Sequence, residues 1–536
     1  DNLARGRFEV AVDDPRRLAA TVEQGLYDVI AQGHTAATVE MLFPAVTRLL
    51  QGNDPLVSKP DAQALAKRAL TDLRNKSFFY SDETGCFHLR GAWSMEARVV
   101  KFLKKRLEGT IFAGTNLYAG DLDATIRRFE HEEGRALGVS SFALNEEQRN
   151  AVITSFHFPF SLITGGAGCG KTTVLKALNY ALDTTGLPVF QMALAARAAK
   201  RMIEATGKPA TTIAYFLRNV TSDQLGQQPV IIIDEASMIS VVDMNAIVKR
   251  LPPAARMILV GDSFQLPPIG AGLVFHSLCR CEWIPRVELV EVKRQTESSG
   301  IPAAAKNIRD GKWRDLPRTG ARTRLIQCDG RDIIDTVMDL YAEDPENTQI
   351  LAATNKCRLA GVREINTRCQ ERFASSAKKL LVWNHEHDSW EDTGLREGDP
   401  IIYTRNDWAR GLLNGSTGTL LRVYSPALDS GDAMACVARA EFEGVEIDVA
   451  LSDIDYIEPS YAISVHKAQG SQFPRVIIAV RRSRILDRTW IYTSITRAQR
   501  EFIIVGDRDA TKQAVEEPPR AHLRVTGFAE MLGLRK

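Results

Sequence analysis

From about residue 142 to residue 510 the chain alternates short apolar runs with longer stretches whose apolar positions recur every three or four residues. The short runs are Ser161–Thr164, Val230–Ile233, Met257–Val260, Gln349–Ala353, Arg475–Val480 and Glu501–Val505. Their near-continuous hydrophobicity is that of parallel strands covered on both faces. Leu187–Met192 is strand-like as well, and Ala193–Met202 has helical spacing with Arg197, Lys200 and Arg201. Strand and helix in alternation predict an α/β fold. The expected division is a first domain over 141–285 and a second over 286–396, resumed at 456–536 with a C-terminal tail. Residues 397–455 break the pattern. Their short β-rich runs are punctuated by Asn414-Gly415 and Gly418, and Asn-Gly is a strong hairpin signal, so a small inserted β-barrel is expected there.

Residues 1–140 form a separate, mainly helical region. Helices are expected over 17–51 and 61–75, interrupted at Gly33 and at the turn-rich Gly52–Pro55. Ser77–Leu89 reads as two β-prone runs about a turn at Gly85, and 94–108 as a helix with Lys101, Lys104, Lys105 and Arg106 on it. That basic run is a solvated face on its plain reading. Helices followed by a hairpin are similar to a winged-helix module, a unit that binds DNA or protein or serves as a spacer. The polar segment Asn219–Gln228 has room for a short hairpin or loop.

Composition narrows the function classes. The 536 residues are 44% hydrophobic and 25% charged, with 68 basic against 66 acidic residues and a net charge of +2. A nucleic-acid surface must then be a local channel, because the whole molecule is not basic. Eight cysteines are scattered without a CxxC pair or zinc spacing, which suits free thiols in a reducing cytoplasm. No apolar run approaches the length of a membrane span, so no membrane partner is expected.

Gly165-Gly166-Ala167-Gly168-Cys169-Gly170-Lys171-Thr172 satisfies the pattern G-x-x-x-x-G-K-[ST], between an apolar strand and a helix that starts near Thr172 and continues with Thr173. Glycines let successive N–H groups curl round a phosphate, and the helix N-terminus adds partial positive charge. Lys171 is expected to reach the β/γ-phosphates of ATP, and the Thr172 hydroxyl to hold Mg²⁺. Val230–Asp234 ends in two carboxylates: Asp234 for the Mg²⁺ shell, through water, and Glu235 to orient or deprotonate the attacking water. Gln265, in the polar loop after Met257–Gly261, is a candidate γ-phosphate sensor. Asn145 and Gln148 form a capping-box pattern, and the Gln148 amide is a candidate reader of the adenine edge.

In this order the segments resemble the superfamily 1 helicases, most closely their RecD-like branch, over about residues 142–510. Gly165–Thr173 looks like motif I, Asp234–Ser237 like motif II and Gly261–Pro268 like motif III. Lys293-Arg294-Gln295 looks like motif IV, Ser464–Gly470 like motif V and Tyr492–Ala498 like motif VI. Leu144–Gln148 resembles the Q motif. Gly398-Asp399-Pro400 with Asn406 and Asn414-Gly415 is similar to the start of the RecD-type inserted barrel. The resemblance implies two RecA-like P-loop motor domains with ATP between them, and Arg294 and Arg497 as arginine fingers. Gly470 would join the nucleotide site. Arg197, Thr212, Asn355, Asn414, His466 and Lys467 would contact DNA. The implied activity is ATP-dependent translocation on single-stranded DNA, 5′→3′, with unwinding of tailed duplex DNA.

One departure stands out. RecD-like proteins carry A-P-T-G-K-A-A after the second strand, whereas this chain has Ala193-Leu-Ala-Ala-Arg197-Ala-Ala199. The threonine hydroxyl is gone and Arg197 stands for the lysine, so charge contact with a phosphate survives without that hydrogen bond. Two other readings stay open: a nucleotide-dependent switch that clamps DNA or protein without unwinding, and the motor portion of a larger recombination or conjugation enzyme.

Overall fold

The computed structural model describes residues 11–52, 57–71, 77–108, 122–139, 141–291, 300–317, 321–384, 387–407, 410–424 and 435–534. The helix Pro15–Ile30 opens the N-terminal module. Asp14 caps it, with Pro15 in its first turn, and it turns Leu18, Val22, Leu26 and Val29 to one side. That stripe meets the helices Val39–Gln51 and Lys59–Thr71 and the aromatic pair Phe78 and Phe87 in one core. The expected break falls at Gly33, whose φ is 97°. The hairpin Phe78–Ser81 and Cys86–Leu89 forms as expected, and Ala36–Thr38 joins it as a third antiparallel strand. The basic helix runs Arg90–Leu107. It keeps Lys101, Lys104 and Lys105 in solvent and packs Val99, Val100, Phe102 and Leu103 into the core of the next domain.

That next domain is a parallel sheet with helices on both faces. Its six described strands lie in the order Ala210–Thr212, Val189–Ala193, Val230–Asp234, Arg256–Gly261, Phe160–Gly165, Arg286–Leu289. The last strand corrects the expected boundary at 285/286. Arg286–Leu289 pairs with Leu162–Gly165 and belongs to the first sheet, because Val287 and Leu289 bury in its core. Asn219–Gln228 makes a single helical turn, Ser222–Leu225, in place of a hairpin.

The second parallel sheet has five described strands in the order Thr323–Gln327, Ala498–Gly506, Phe473–Val480, Thr348–Ala352, Ala462–Ser464. A two-stranded ribbon, Lys379–Asn384 with Ser389–Arg396, leads out of it and was not foreseen. An antiparallel sheet follows in the order Val445–Ala450, Cys436–Phe442, Thr417–Val423, Pro400–Tyr403, Ile457–Pro459. Its closing strand lies beyond the expected limit at 455, since Ile401–Tyr403 pairs with Ile457–Pro459. Among the described residues no helix is long and apolar enough to cross a membrane. The eight cysteines, all among the described residues, form no disulfide.

After the helix Arg508–Glu516 the chain leaves the second domain and docks on the first and on the N-terminal module. Phe528 and Leu532 enter the first domain's core, and Glu530 accepts a hydrogen bond from Ser81 at 3.3 Å. Beneath this segment His276 is buried with neither ring nitrogen partnered. Burial, helped by the charges of His522 and Arg524, pushes its imidazole down to about 4. A lowered folded value means that the unfolded chain binds more protons between pH 4 and 6.5, so His276 costs stability as pH falls through that window. His276→Phe removes that dependence. The variant's stability relative to the parent, read from melting curves, is expected to improve by about 2 kcal/mol between pH 7 and pH 5. A gap that does not change with pH would exclude this role for His276.

Candidate nucleotide site and DNA face

The strand Phe160–Gly165 delivers the chain into the phosphate-binding loop, and the helix Lys171–Asp183 starts directly after it. Gly168 and Gly170 hold φ of 84° and 81°, a region that L side chains avoid. A Cβ on Gly170 would also run into the Gln148 amide. Lys171 folds over the loop, donating from Nζ to the carbonyls of Gly165 at 2.6 Å and Gly166 at 3.0 Å.

Asp234 ends its strand, and Glu235 follows with φ 51°, a left-handed conformation rare for a non-glycine residue. That kink keeps the Glu235 carboxylate in the cleft, where Oε2 is buried without a hydrogen-bond partner. Asp234 accepts from the Glu235 amide at 2.8 Å. Burial first, then the neighbouring Glu235 charge, push the Asp234 carboxyl up to about 7. Two crowded carboxylates beside the Thr172 hydroxyl, one with an orphaned oxygen, form an oxygen-only donor set of the kind that suits Mg²⁺. A divalent charge there would offset the burial and the repulsion that raise the Asp234 carboxyl. Among the described residues no cluster of three or more His, Cys, Asp or Glu offers another metal site.

A cavity of about 420 Å³ brings these groups together with the second domain. Gln148, Gly166, Ala167, Gly168, Lys171 and Thr172 line one side, with Asp234, Glu235 and Gln265. Gly470, Gln472 and Arg497 line the other. Arg497 is 3% exposed. It donates to the carbonyls of Thr493 at 3.1 Å and Ser471 at 3.4 Å and to the Thr496 hydroxyl at 3.3 Å. Among the described residues no carboxylate lies within ion-pair distance of it, and it shares the cavity with the phosphate loop. Cys169 and Gly166 also face a neighbouring cavity of about 440 Å³ with Lys306, Arg309 and Tyr492. Lys293, Arg294 and Gln295 lie outside the described residues.

Gln148 makes the expected capping box and stands at the cavity. Its backbone donates to Asn145 Oδ1 at 2.8 Å, its Oε1 accepts from the Asn145 amide at 3.2 Å, and its side chain lines the cavity. The loop after the fourth strand joins the domains: Tyr492 donates to Asp262 at 2.9 Å, and the Leu266 amide donates to the Thr493 hydroxyl at 3.0 Å. Gln265 sits between these ties, buried, with Oε1 unpartnered. The sequence reading missed Arg201, which lines the cavity and acts electrostatically on Asp234. Its position one helical turn after Arg197 was the available signal. Gln469, buried with both amide atoms unpartnered beside Gly470, was missed as well.

The residues expected on DNA divide. Asn355 and Lys467 share a cavity of about 450 Å³ with Arg363, Asn366 and Ser464. Lys467 pairs with Glu458 at 2.7 Å. His466 is half-buried, and burial lowers its imidazole, keeping it neutral at pH 7. Asn414 lies in the turn of the inserted sheet, its amide donating to Asn406 at 2.8 Å. Arg197 reaches the same turn. It donates to the Gly415 carbonyl at 2.8 Å and the Thr417 hydroxyl at 3.3 Å and pairs with Glu443 at 3.6 Å, so a phosphate must displace these partners. Thr212 corrects the expectation. It is 4% exposed, and its hydroxyl caps the helix Ile213–Asn219 by accepting from the Tyr215 amide at 3.1 Å, which leaves no face for a phosphate.

Comparison with known proteins adds kinship to this geometry. Residues 143–329 match the AAA domain family and residues 459–505 match the UvrD-like helicase C-terminal domain. The ATP-dependent RecD2 DNA helicase of Deinococcus radiodurans is 28% identical over 403 residues, 71% of this chain and 53% of that protein. The RecBCD enzyme subunit RecD of Mycobacterium tuberculosis is 30% identical over 433 residues, covering 72% of both chains. A probable conjugal transfer protein TraA of Sinorhizobium fredii is 27% identical over 468 residues, 81% of this chain and 40% of that protein. The chain therefore spans about half the length of the Deinococcus relative. A solved Bacteroides Pif1 helicase, in complex with ADP-AlF3 and ssDNA, covers 72% of this chain and 96% of its own at 20% identity, with a TM-score of 0.47.

Proposed function

The chain belongs to the RecD-like branch of the superfamily 1 helicases, and on that premise we propose that it is an ATP-driven motor that moves along single-stranded DNA and opens tailed duplexes. The observation that carries the reading is the single cavity shared by Lys171, Asp234, Glu235 and Arg497, with parallel-sheet domains on its two sides. Lys171 and the amides of the 166–170 loop hold the β- and γ-phosphates of ATP, and the Gln148 amide reads the adenine edge. Glu235 orients the attacking water and takes its proton. Arg497 meets charge that spreads over the transferring phosphoryl group. Thr172 and Asp234 would hold Mg²⁺, whose charge offsets that of the phosphate oxygens. Gln265 senses the γ-phosphate and passes its presence through Leu266 and Asp262 to Thr493 and Tyr492.

In this reading DNA crosses both motor domains past Asn355, His466, Lys467 and Asn414 and is gripped through its backbone, so binding is largely independent of sequence. The antiparallel sheet beginning at Pro400 serves as the inserted SH3-like barrel, and the three-helix N-terminal module with its hairpin as a winged-helix unit. Translocation runs 5′→3′, a polarity that rests on kinship alone.

The test is ATP hydrolysis with and without single-stranded DNA, paired with displacement from duplexes tailed at either end. DNA-independent hydrolysis with no displacement would leave the switch reading in its place, and displacement only from 3′-tailed substrate would reverse the polarity. Glu235→Gln is expected to keep ATP binding and to lower turnover by at least about 100-fold. Normal turnover would remove Glu235 from the water-positioning role.

A further inference from the structure

The loop Asp262–Gly272 is held at both ends by parts of the chain outside its own domain. At its start Tyr492 and Thr493 tie Asp262 and Leu266 to the second motor domain. Its far end meets Arg524. That guanidinium donates to the carbonyls of Pro268 at 2.8 Å, Gly270 at 3.1 Å and Gly272 at 3.1 Å. Three carbonyl oxygens around one guanidinium match its fork of donors, a geometry an ammonium cannot reproduce.

The surroundings of Arg524 are built to hold it. A Cβ on Gly33 would overlap the guanidinium, so the N-terminal module makes room for it with a glycine at φ 97°. The Gly33 carbonyl in turn accepts from the Gly272 amide at 2.9 Å. The next residue, Val525, accepts from the amides of Thr35 and Ala36 and donates to His34 Nδ1 at 3.0 Å. Upstream, the Arg520 amide donates to Asp487 at 3.1 Å, one residue before the helix that carries Tyr492. Residues 517–534 thus form a strap from the second motor domain to the motif III loop and the N-terminal module.

Between the Arg524 contact and the catalytic cleft the loop has little freedom. Pro267 and Pro268 fix two φ angles and follow Gln265 by two and three residues. A displacement at Pro268 therefore reaches Gln265 with little slack, and Gln265 lines the cavity together with the phosphate-binding loop.

We propose that Arg524 is a positioning residue for ATP hydrolysis: by pinning the carbonyls of Pro268, Gly270 and Gly272 it sets Gln265 and couples cleft closure to the N-terminal module. The inference rests on the motor reading and deepens it. Arg524→Met is expected to lower kcat of DNA-stimulated hydrolysis about tenfold while KM for ATP stays within about twofold, because groups that hold ATP are untouched and only the aim of Gln265 is lost. Arg524→Lys, which keeps the charge without the fork, is expected to fall between them. In a Gln265→Ala background the same changes should have no further effect, because Arg524 acts through that side chain.

Rates are taken per folded molecule, with the folded fraction read from melting curves, and Arg524→Lys carries every arm if the methionine variant does not fold. An unchanged kcat, a matching change in KM, or a full Arg524 effect in the Gln265→Ala background overturns the inference. A parent protein that hydrolyses ATP no faster with single-stranded DNA overturns the motor reading instead, so the two failures are distinguishable.

Discussion

Lys171→Met is expected to lower DNA-stimulated ATP hydrolysis by about 1,000-fold, at the upper end of what one charge-stabilising donor supplies in a preorganised site. The ammonium is held over the loop by the carbonyls of Gly165 and Gly166, 2.6 and 3.0 Å away, so its position is set before substrate arrives. On the proposed reading, negative charge grows on oxygens that Lys171, the loop amides, the ion held by Thr172 and Asp234 and groups across the cleft would meet as the terminal phosphoryl group separates. Methionine keeps the stem and loses the charge, and it strands no buried partner other than two carbonyls at a half-open surface. The melting temperature should therefore stay within a few degrees of the parent's. Steady-state hydrolysis at saturating single-stranded DNA, with melting curves for both proteins, is the measurement. A variant that keeps more than about a tenth of the parent rate would mean that the phosphates bind elsewhere.

The candidate site of this protein is built from short, local stretches, which is why so much of it was legible. A phosphate-binding loop needs its glycines, lysine and hydroxyl within one turn of chain, so Gly165–Thr172 announces itself without tertiary information. The same holds for Asp234-Glu235 at the end of an apolar strand. What failed was decided at long range. Arg286–Leu289 reads as a strand from its own residues, yet which sheet it joins depends on a register with Leu162–Gly165 more than 120 positions earlier. Thr212 looks like other polar residues near a DNA channel until the helix after it proves to need a cap. Arg197 was read for charge alone, and only the packed structure shows its donors spent on Gly415, Thr417 and Glu443.

The strap illustrates the same limit. Residues 517–534 carry no motif, and Arg524 is an ordinary arginine in the sequence. Its task appears only where Gly33, at the opposite end of the chain, leaves a space for it. Gly33 was itself legible as a helix break, but its second function, making room for a guanidinium from nearly five hundred residues away, had no local signal.

Arg497 is the position where mutation should separate binding from chemistry. Arg497→Lys is expected to lower kcat by about 1,000-fold or more, the lower end of what an arginine finger supplies, while ADP affinity stays within about threefold. The side chain is buried, with donors to Thr493, Ser471 and Thr496 and no carboxylate neighbour among the described residues. Removing it altogether would strand those oxygens at about 1–3 kcal/mol each, a structural cost that would blur the result. Lysine keeps a charge in the pocket and loses the planar fork. The decisive arm is the double variant with Lys171→Met. Two side chains that stabilise the same transferring phosphoryl group act as one unit, so the double variant should lose little beyond the worse single change. If the two losses multiply instead, Lys171 and Arg497 serve separate steps, and the shared cavity does not join them in catalysis.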